Sequence, residues 1–209
     1  MTRILAIAAA AVAVAFLLVI YALPQLATTP EDRFAQCRAS TVAGGGSIGG
    51  PFTLVDQHGV EVTDRDVIDR PTLIYFGYTF CPDVCPLDTV RNADAVDILQ
   101  ERGREVKPVF ISVDPGRDTP EVLAAFAENL HPRMVALGGS EEQVRAASRA
   151  YRTFYQKQEP EPGSEDYYLI DHSTFSYLMM PDQGFVEFFR RDLGAEQLAD
   201  AIQCFVDAM

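Results

Sequence analysis

Twenty consecutive residues without a charged side chain, Ile4 to Leu23, divide this chain into parts that cannot share one environment. Coiled as a helix at ~1.5 Å per residue, the run is about 30 Å long, the hydrocarbon thickness of a bilayer. It exceeds the roughly 7–15 apolar residues of a cleavable export signal. Cleavage after Ala27 would also place Gln25 where a small residue is wanted. The expectation is an uncleaved membrane anchor over residues 1–23, with a cleaved signal as the alternative. Arg3 precedes the run and Glu31-Asp32 follows it, which keeps the N-terminus cytoplasmic. No Arg-rich transit peptide precedes the run, so a single pass through a bacterial inner membrane is expected, with the rest of the chain in the periplasm.

Dividing the chain also explains its composition. Against 17 basic residues stand 30 acidic ones, a net −13, yet mean hydropathy is +0.01. Arg3 is the one charged residue among the first 29, so the other 180 residues carry a net −14. So acidic a domain lacks the basic face that phosphate binding needs, which excludes nucleic acid as a partner. Residues 24–50 hold no long apolar pattern and end in GGGSIGG, the composition of a flexible tether. Residues 51–209 then form one domain.

Within that domain strand and helix signals alternate, which predicts an α/β sandwich, a central mixed sheet flanked by helices. Phe52–Val55 and Val60–Val62 flank a hairpin turn, and Thr72–Tyr78 and Pro108–Val113 read as buried strands. A helix is expected from Val84 to Arg102, stopped by Gly103, with Leu87, Val90, Ala93, Val96 and Leu99 inward. Thr119-Pro120-Glu121 and the capping box Ser140-Glu-Glu-Gln143 open two further helices, and Val144, Ala147 and Tyr151 face inward on the second. Between these two helices Met134–Leu137 is a short strand. A hairpin of Ser173–Met180 and Phe185–Phe189 follows, then a last helix from Ala195 burying Leu198, Ile202 and Phe205.

Cys81 and Cys85, in TFCPDVCP, sit where a buried strand ends and a helix begins. That junction is the usual place for a site in an α/β sheet, and the helix dipole there favours thiolate over thiol. Pro82 and Asp83 promote a turn that brings both sulfurs toward one point. Three readings stay open: an inert disulfide, a redox-active dithiol, and a metal chelate, for which two soft thiolates suit Cu(I) and less specifically Zn(II). A peroxiredoxin is disfavoured, because Tyr78 and Pro82 stand three residues before the two cysteines in place of Ser or Thr. Copper held by two thiolates accepts an imidazole, and His172 lies at the mouth of the strand Ser173–Met180. His58 and His131 read as solvated. Met179 and Met180 lie too far along their strand from His172 to share its site, and Asp171 points away from it. Asp114-Pro115-Gly116 reads as a structural turn. Cys37 and Cys204 are either two free thiols or a disulfide, worth about 5 kcal/mol for so long a loop in the chain-entropy model.

The runs YFGYTFCPDVCP, ISVDPGRDTP and DHSTFSYLMMPDQG, in this order, resemble the Sco/SenC/PrrC family of membrane-anchored, thioredoxin-like copper proteins that assist cytochrome c oxidase assembly. The resemblance covers about residues 50–207. It implies a thioredoxin-like fold and copper, Cu(I) or Cu(II), one ion per chain, on Cys81, Cys85 and His172. It further implies delivery to the dinuclear copper site of oxidase subunit II, with other periplasmic copper chaperones as further partners. Cys37 and Cys204 lie outside the motif. A thiol-disulfide oxidoreductase that keeps the oxidase cysteines reduced is the competing function, and a redox or copper sensor a third.

Overall fold

The computed structural model describes residues 13–14, 16–20, 32–38, 48–160, 162–164 and 166–209. Most of the expected anchor and tether lies outside these residues; within the anchor segment, 13–14 and 16–20 are helical. Among the described residues no helix is long and apolar enough to cross a membrane. The chain divides into a unit of residues 1–35 and one of residues 36–209, and the second holds every described strand.

Among the described residues, nine strands and five helices build that second unit. In chain order they are β1 (Thr53–Asp56), β2 (Glu61–Thr63), α1 (Asp64–Val67), β3 (Thr72–Gly77), α2 (Val84–Glu101), β4 (Lys107–Ser112), α3 (Pro120–Leu130), β5 (Val135–Gly138), α4 (Glu141–Ala150), β6 (Tyr155–Lys157), β7 (Ile170–His172), β8 (Ser176–Met180), β9 (Gly184–Phe189) and α5 (Ala195–Asp207). Seven strands form one mixed sheet in the order β2-β1-β5-β4-β3-β8-β9, and β6 pairs with β7 in a separate ribbon. The pairs β3/β4 and β4/β5 are parallel; the remaining pairs are antiparallel. Consecutive right-handed crossovers in one direction put α2 and α3 on the same face of the sheet, where α2 also packs on α5, while α4 packs against β1. This is the thioredoxin-like α/β arrangement, with a central mixed sheet and flanking helices.

The central strand β3 is buried along all six residues, as an apolar run covered on both faces must be. Tyr151, at the end of α4, packs its ring against Phe52, Phe76 and Tyr177 at centroid distances of 6.2, 5.3 and 5.7 Å, joining the residue before β1 to β3 and β8 in one core. The predicted helix starts hold. Thr119 Oγ1 accepts from the Val122 N–H, and Ser140 and Gln143 form the reciprocal capping box. Gly103, at φ 74°, takes the left-handed turn that ends α2. Val144, Ala147, Leu198, Ile202 and Phe205 are buried as expected.

Three expectations are corrected. In α2, Ala93, Val96 and Leu99 are buried, but Leu87 and Val90 are 61% and 46% exposed. Cys85, Asp88, Thr89 and Asn92 face inward instead. The helix is rotated to bring Cys85 against the sheet, and its buried polar groups find partners within the helix and on the sheet. Thr89 Oγ1 donates to the Cys85 carbonyl and Asn92 Nδ2 to Ser176 Oγ. His131 is 4% exposed, not solvated. Its Nδ1 accepts from the Arg133 N–H at 3.1 Å, so Nε2 carries the proton and donates to Asp97, 2.9 Å away. The β6/β7 ribbon is a pairing of two three-residue strands, too short for alternation to announce. It makes His172 the last residue of a strand and Ser173–Phe175 the approach to β8.

Cys37 and Cys204 are joined by a disulfide that spans 167 residues of chain, with Cα atoms 5.6 Å apart. Beside it, Arg38 Nε donates to the Val186 carbonyl. The bridge fastens the start of this unit to α5. Replacing both cysteines with Ser is expected to lower the unfolding free energy by about 2–5 kcal/mol. Urea denaturation of the oxidised chain reads this directly, and an unchanged midpoint would show that the bridge contributes nothing to stability.

Candidate metal centre

The parallel strands β3 and β4 end together at the Gly77/Ser112 pair, and the chain leaves β3 through Tyr78-Thr79-Phe80 into Cys81. The Cys81 N–H donates back to the Tyr78 carbonyl, a tight turn that aims the chain at the start of α2. Cys81 lies just before that helix and Cys85 in its first turn, both as free thiols, buried at 7% and 0% exposure. Close approach of helix to strand is what seats Cys85. A Cβ on Gly77 would stand 3.0 Å from Cys85 Sγ, 2.9 Å from the Tyr75 ring and 3.0 Å from the Phe110 ring. Only a residue without a side chain leaves that space.

His172 arrives from the far side on the β6/β7 ribbon, where it pairs with Tyr155. Its Nδ1 lies 2.9 Å from the Ser173 carbonyl, which fixes the proton on Nδ1 and leaves the Nε2 lone pair free. Nε2 stands 3.2 Å from Cys85 Sγ. The rings of Tyr75 and Tyr78 stand edge-on to the imidazole at 6.2 and 5.8 Å. The ligating atoms of Cys81, Cys85 and His172 all lie within 4.8 Å of one another, one ligand atom from each residue. Met179 lies in the core, and Asp171 points away to accept from Gln158.

The two thiols are electrostatically unlike. Burial opposes ionisation of Cys81, but the backbone N–H groups of Cys85 and Asp83, with help from the Cys85 thiol and the Tyr78 hydroxyl, outweigh it and lower its pKa. Burial pushes the Cys85 thiol far up, and the neighbouring Cys81 adds to the rise. Burial also lowers the His172 pKa, against the pull of the Ser173 carbonyl, and so favours the neutral imidazole that can act as a ligand.

Sequence reasoning missed the residues around these three. Tyr75 Oη donates to Asp88 Oδ2 at 3.0 Å, and Arg91 and Arg191 stand 3.8 and 3.6 Å from the same buried carboxylate. Asp88 sits three residues after Cys85, on a helix whose inward face was assigned to Leu87 and Val90. Asp118 accepts from both the N–H and hydroxyl of Thr79, two residues before Cys81. The available signal was the pair of aspartates in Asp114-Pro-Gly-Arg-Asp118, of which Asp114-Pro115-Gly116 alone reads as a turn from the sequence.

A thioredoxin-like sheet with two thiols and an imidazole converging at the carboxyl end of its central strands defines a class of thiol-based metal or redox proteins. The SCO1/SenC family model matches residues 40–207, and the chain belongs to that family. It is 50% identical over 202 residues to protein SenC of Rhodobacter capsulatus, covering 96% of this chain and 90% of that protein. It is 40% identical over 161 residues to the mitochondrial SCO1 homolog 1 of Arabidopsis thaliana, covering 77% of this chain and 47% of that protein. The chain thus spans about half the length of the plant relative. Among solved structures, Arabidopsis thaliana ScoI with copper bound matches at a TM-score of 0.70 and 39% identity, covering 76% of this chain and 98% of that one. Yeast Sco1 with copper bound matches at 0.73 and 34%, covering 78% and 91%.

The unlike thiols predict ordered reactivity. As pH rises from about 7 to 9, Cys81 forms thiolate first. Timed iodoacetamide labelling followed by peptide mass analysis is expected to find Cys81 modified while Cys85 stays intact. Gly77→Ala is expected to push Cys85 off its seat and open it to the reagent. Equal labelling of both thiols in the unaltered chain would contradict the asymmetry.

Proposed function

We propose that this chain is a membrane-tethered metallochaperone that binds one copper ion through Cys81, Cys85 and His172 and delivers it to the dinuclear copper site of cytochrome c oxidase subunit II. The observation that carries this reading is the convergence of those three donor atoms within 4.8 Å. Two thiolates and a neutral imidazole suit Cu(I) and accept Cu(II), and the set offers no oxygen donor for a hard cation. The copper-bound Arabidopsis and yeast relatives support copper as the metal.

Copper here is cargo, and the residues divide its handling. Cys81, nearer the surface and with the lower pKa, is the donor that an incoming ligand reaches first. Cys85, fully buried and in contact with the half-buried His172, retains the ion with it until an exchange of ligands carries it to the recipient. The Ser173 carbonyl holds the imidazole in the tautomer that presents Nε2. In this proposal residues 1–23 anchor the protein in the bacterial inner membrane, residues 24–50 tether it, and residues 51–209 work in the periplasm, where other copper chaperones are candidate donors.

The unlike thiols give a second reading, a thiol-disulfide oxidoreductase. Cys81 thiolate would attack a target disulfide and Cys85 would resolve the mixed disulfide. Two electrons would pass to the target, leaving Cys81 and Cys85 bridged. That chemistry has no need of His172.

Copper stoichiometry and thiolate-to-copper absorption separate the two. One copper per chain is expected for the unaltered protein. Cys81→Ser, Cys85→Ser and His172→Ala are each expected to lose at least the roughly 10–100-fold in affinity that even outer-shell partners cost. Retained copper affinity in His172→Ala, with dithiol reductase activity intact, would favour the oxidoreductase.

A further inference from the structure

The cysteine loop and the histidine ribbon come from opposite ends of the domain sequence, and one short turn bonds to both. This turn joins β4 to α3 and carries Asp114 and Asp118, buried at 3% and 4% exposure. It is internally closed: the N–H groups of Arg117 and Asp118 both donate to the Asp114 carbonyl, and the Asp114 N–H donates to Ser112 Oγ. Toward the cysteines, Asp118 accepts from the Thr79 N–H at 3.0 Å, the Thr79 hydroxyl at 2.6 Å, and the hydroxyl of Ser112. Toward the histidine, Asp114 accepts from the Tyr168 hydroxyl at 2.6 Å. Arg117 is ion-paired to Asp114 and lays its guanidinium 3.5 Å from the centre of the Tyr168 ring and 5.0 Å from that of Phe80, the residue before Cys81. Lys157 Nζ stands 3.4 Å from the same Tyr168 centre, and a Cβ on Gly116 would stand 3.2 Å from the Tyr168 hydroxyl. Two residues beyond Tyr168, the Ile170 N–H donates to Tyr78 Oη, closing the circuit one step from the cysteine loop.

Burying two carboxylates four residues apart is costly unless each is saturated by strong donors. Here the donors come from two loops whose other direct bond is the one from the Ile170 N–H to Tyr78 Oη, so satisfying the carboxylates adds a second tie that fixes the loops relative to each other. We propose that the β4–α3 turn is a brace and that Asp114, Arg117 and Asp118 are positioning residues, holding Cys81 and Cys85 at chelating distance from His172 before any metal arrives. None of the three is itself a ligand. The inference rests on the copper reading for the identity of the metal, but preorganisation of the empty site is measurable without it.

Tyr168→Phe removes a single hydroxyl and keeps the ring that Arg117 and Lys157 cover; Asp118→Asn removes one acceptor of the Thr79 clamp. Each full-length variant is expected to keep the wild-type melting temperature within a few degrees and to bind Cu(I) about 10–100-fold more weakly. The imidazole contribution to the Cu(II) spectrum is expected to diminish in both. Because both changes cut one brace, the double variant is expected to lose less than the product of the single losses. In the metal-free proteins, Tyr168→Phe should also shift the His172 ring resonances and speed alkylation of Cys81, on the far side of the turn. Wild-type affinity and an unshifted His172 in both single variants would overturn the brace, as would a fully multiplicative double variant. Should the unaltered chain bind no copper, the proposed function falls, and the brace then stands or falls on the metal-free His172 and Cys81 measurements alone. If Asp118→Asn does not fold, Tyr168→Phe decides.

Discussion

Contact between the buried sulfur of Cys85 and the free nitrogen of His172, 3.2 Å apart across 87 residues of sequence, is the constraint around which this fold is arranged. A thiol and an imidazole so placed must come from elements that approach the end of β3 from two sides. The glycine at position 77 lets α2 press its first turn onto the strand. The β6/β7 ribbon brings the imidazole over it, and the Ser173 carbonyl keeps the ring from presenting the wrong nitrogen. Each of these features has a plain local cause, and none would be required by the sheet alone.

The same constraint accounts for the unusual character of α2. An ordinary surface helix buries its apolar stripe, yet the first half of α2 turns Leu87 and Val90 outward and Asp88, Thr89 and Asn92 inward. The cost of those buried polar groups is offset by specific bonds: Tyr75 to Asp88, Asn92 to Ser176, and the arginines around Asp88. Farther along, at Val96 and Leu99, the helix reverts to a conventional apolar contact. The change of character follows distance from Cys85.

How much of this was legible in the residues depends on the length of the signal. Buried strands such as Thr72–Gly77 and helices with capping residues such as Ser140 and Gln143 carry periodicity and stop signs over many positions, and their placement followed. The cysteines were legible because their junction is chemically distinctive. His172 was identified by its position before a long strand and by a family resemblance, but the ribbon that delivers it was invisible at three residues per strand. Burial of His131 was missed because its partner, Asp97, lies on another helix 34 residues away. The rotation of α2 was missed because apolarity alone was counted, and apolarity is a poor guide where a helix must deliver a ligand. Asp114 reads as a turn former and Asp118 carries no signal of its own, because their partners, Tyr168 and Thr79, are remote in sequence.

The burial of Cys85 bears on which ions can enter. Burial keeps the proton on Cys85 in the metal-free site, so the negative charge available there is that of the Cys81 thiolate alone. Calcium and magnesium, which seek oxygen ligands and are attracted by exposed carboxylates, gain nothing there despite the acidity of the surrounding domain. A thiophilic cation can form a bond strong enough to expel the proton. The seat that Gly77 provides thus completes a set of two sulfurs and one nitrogen, donors matched to a soft cation and not to a hard one.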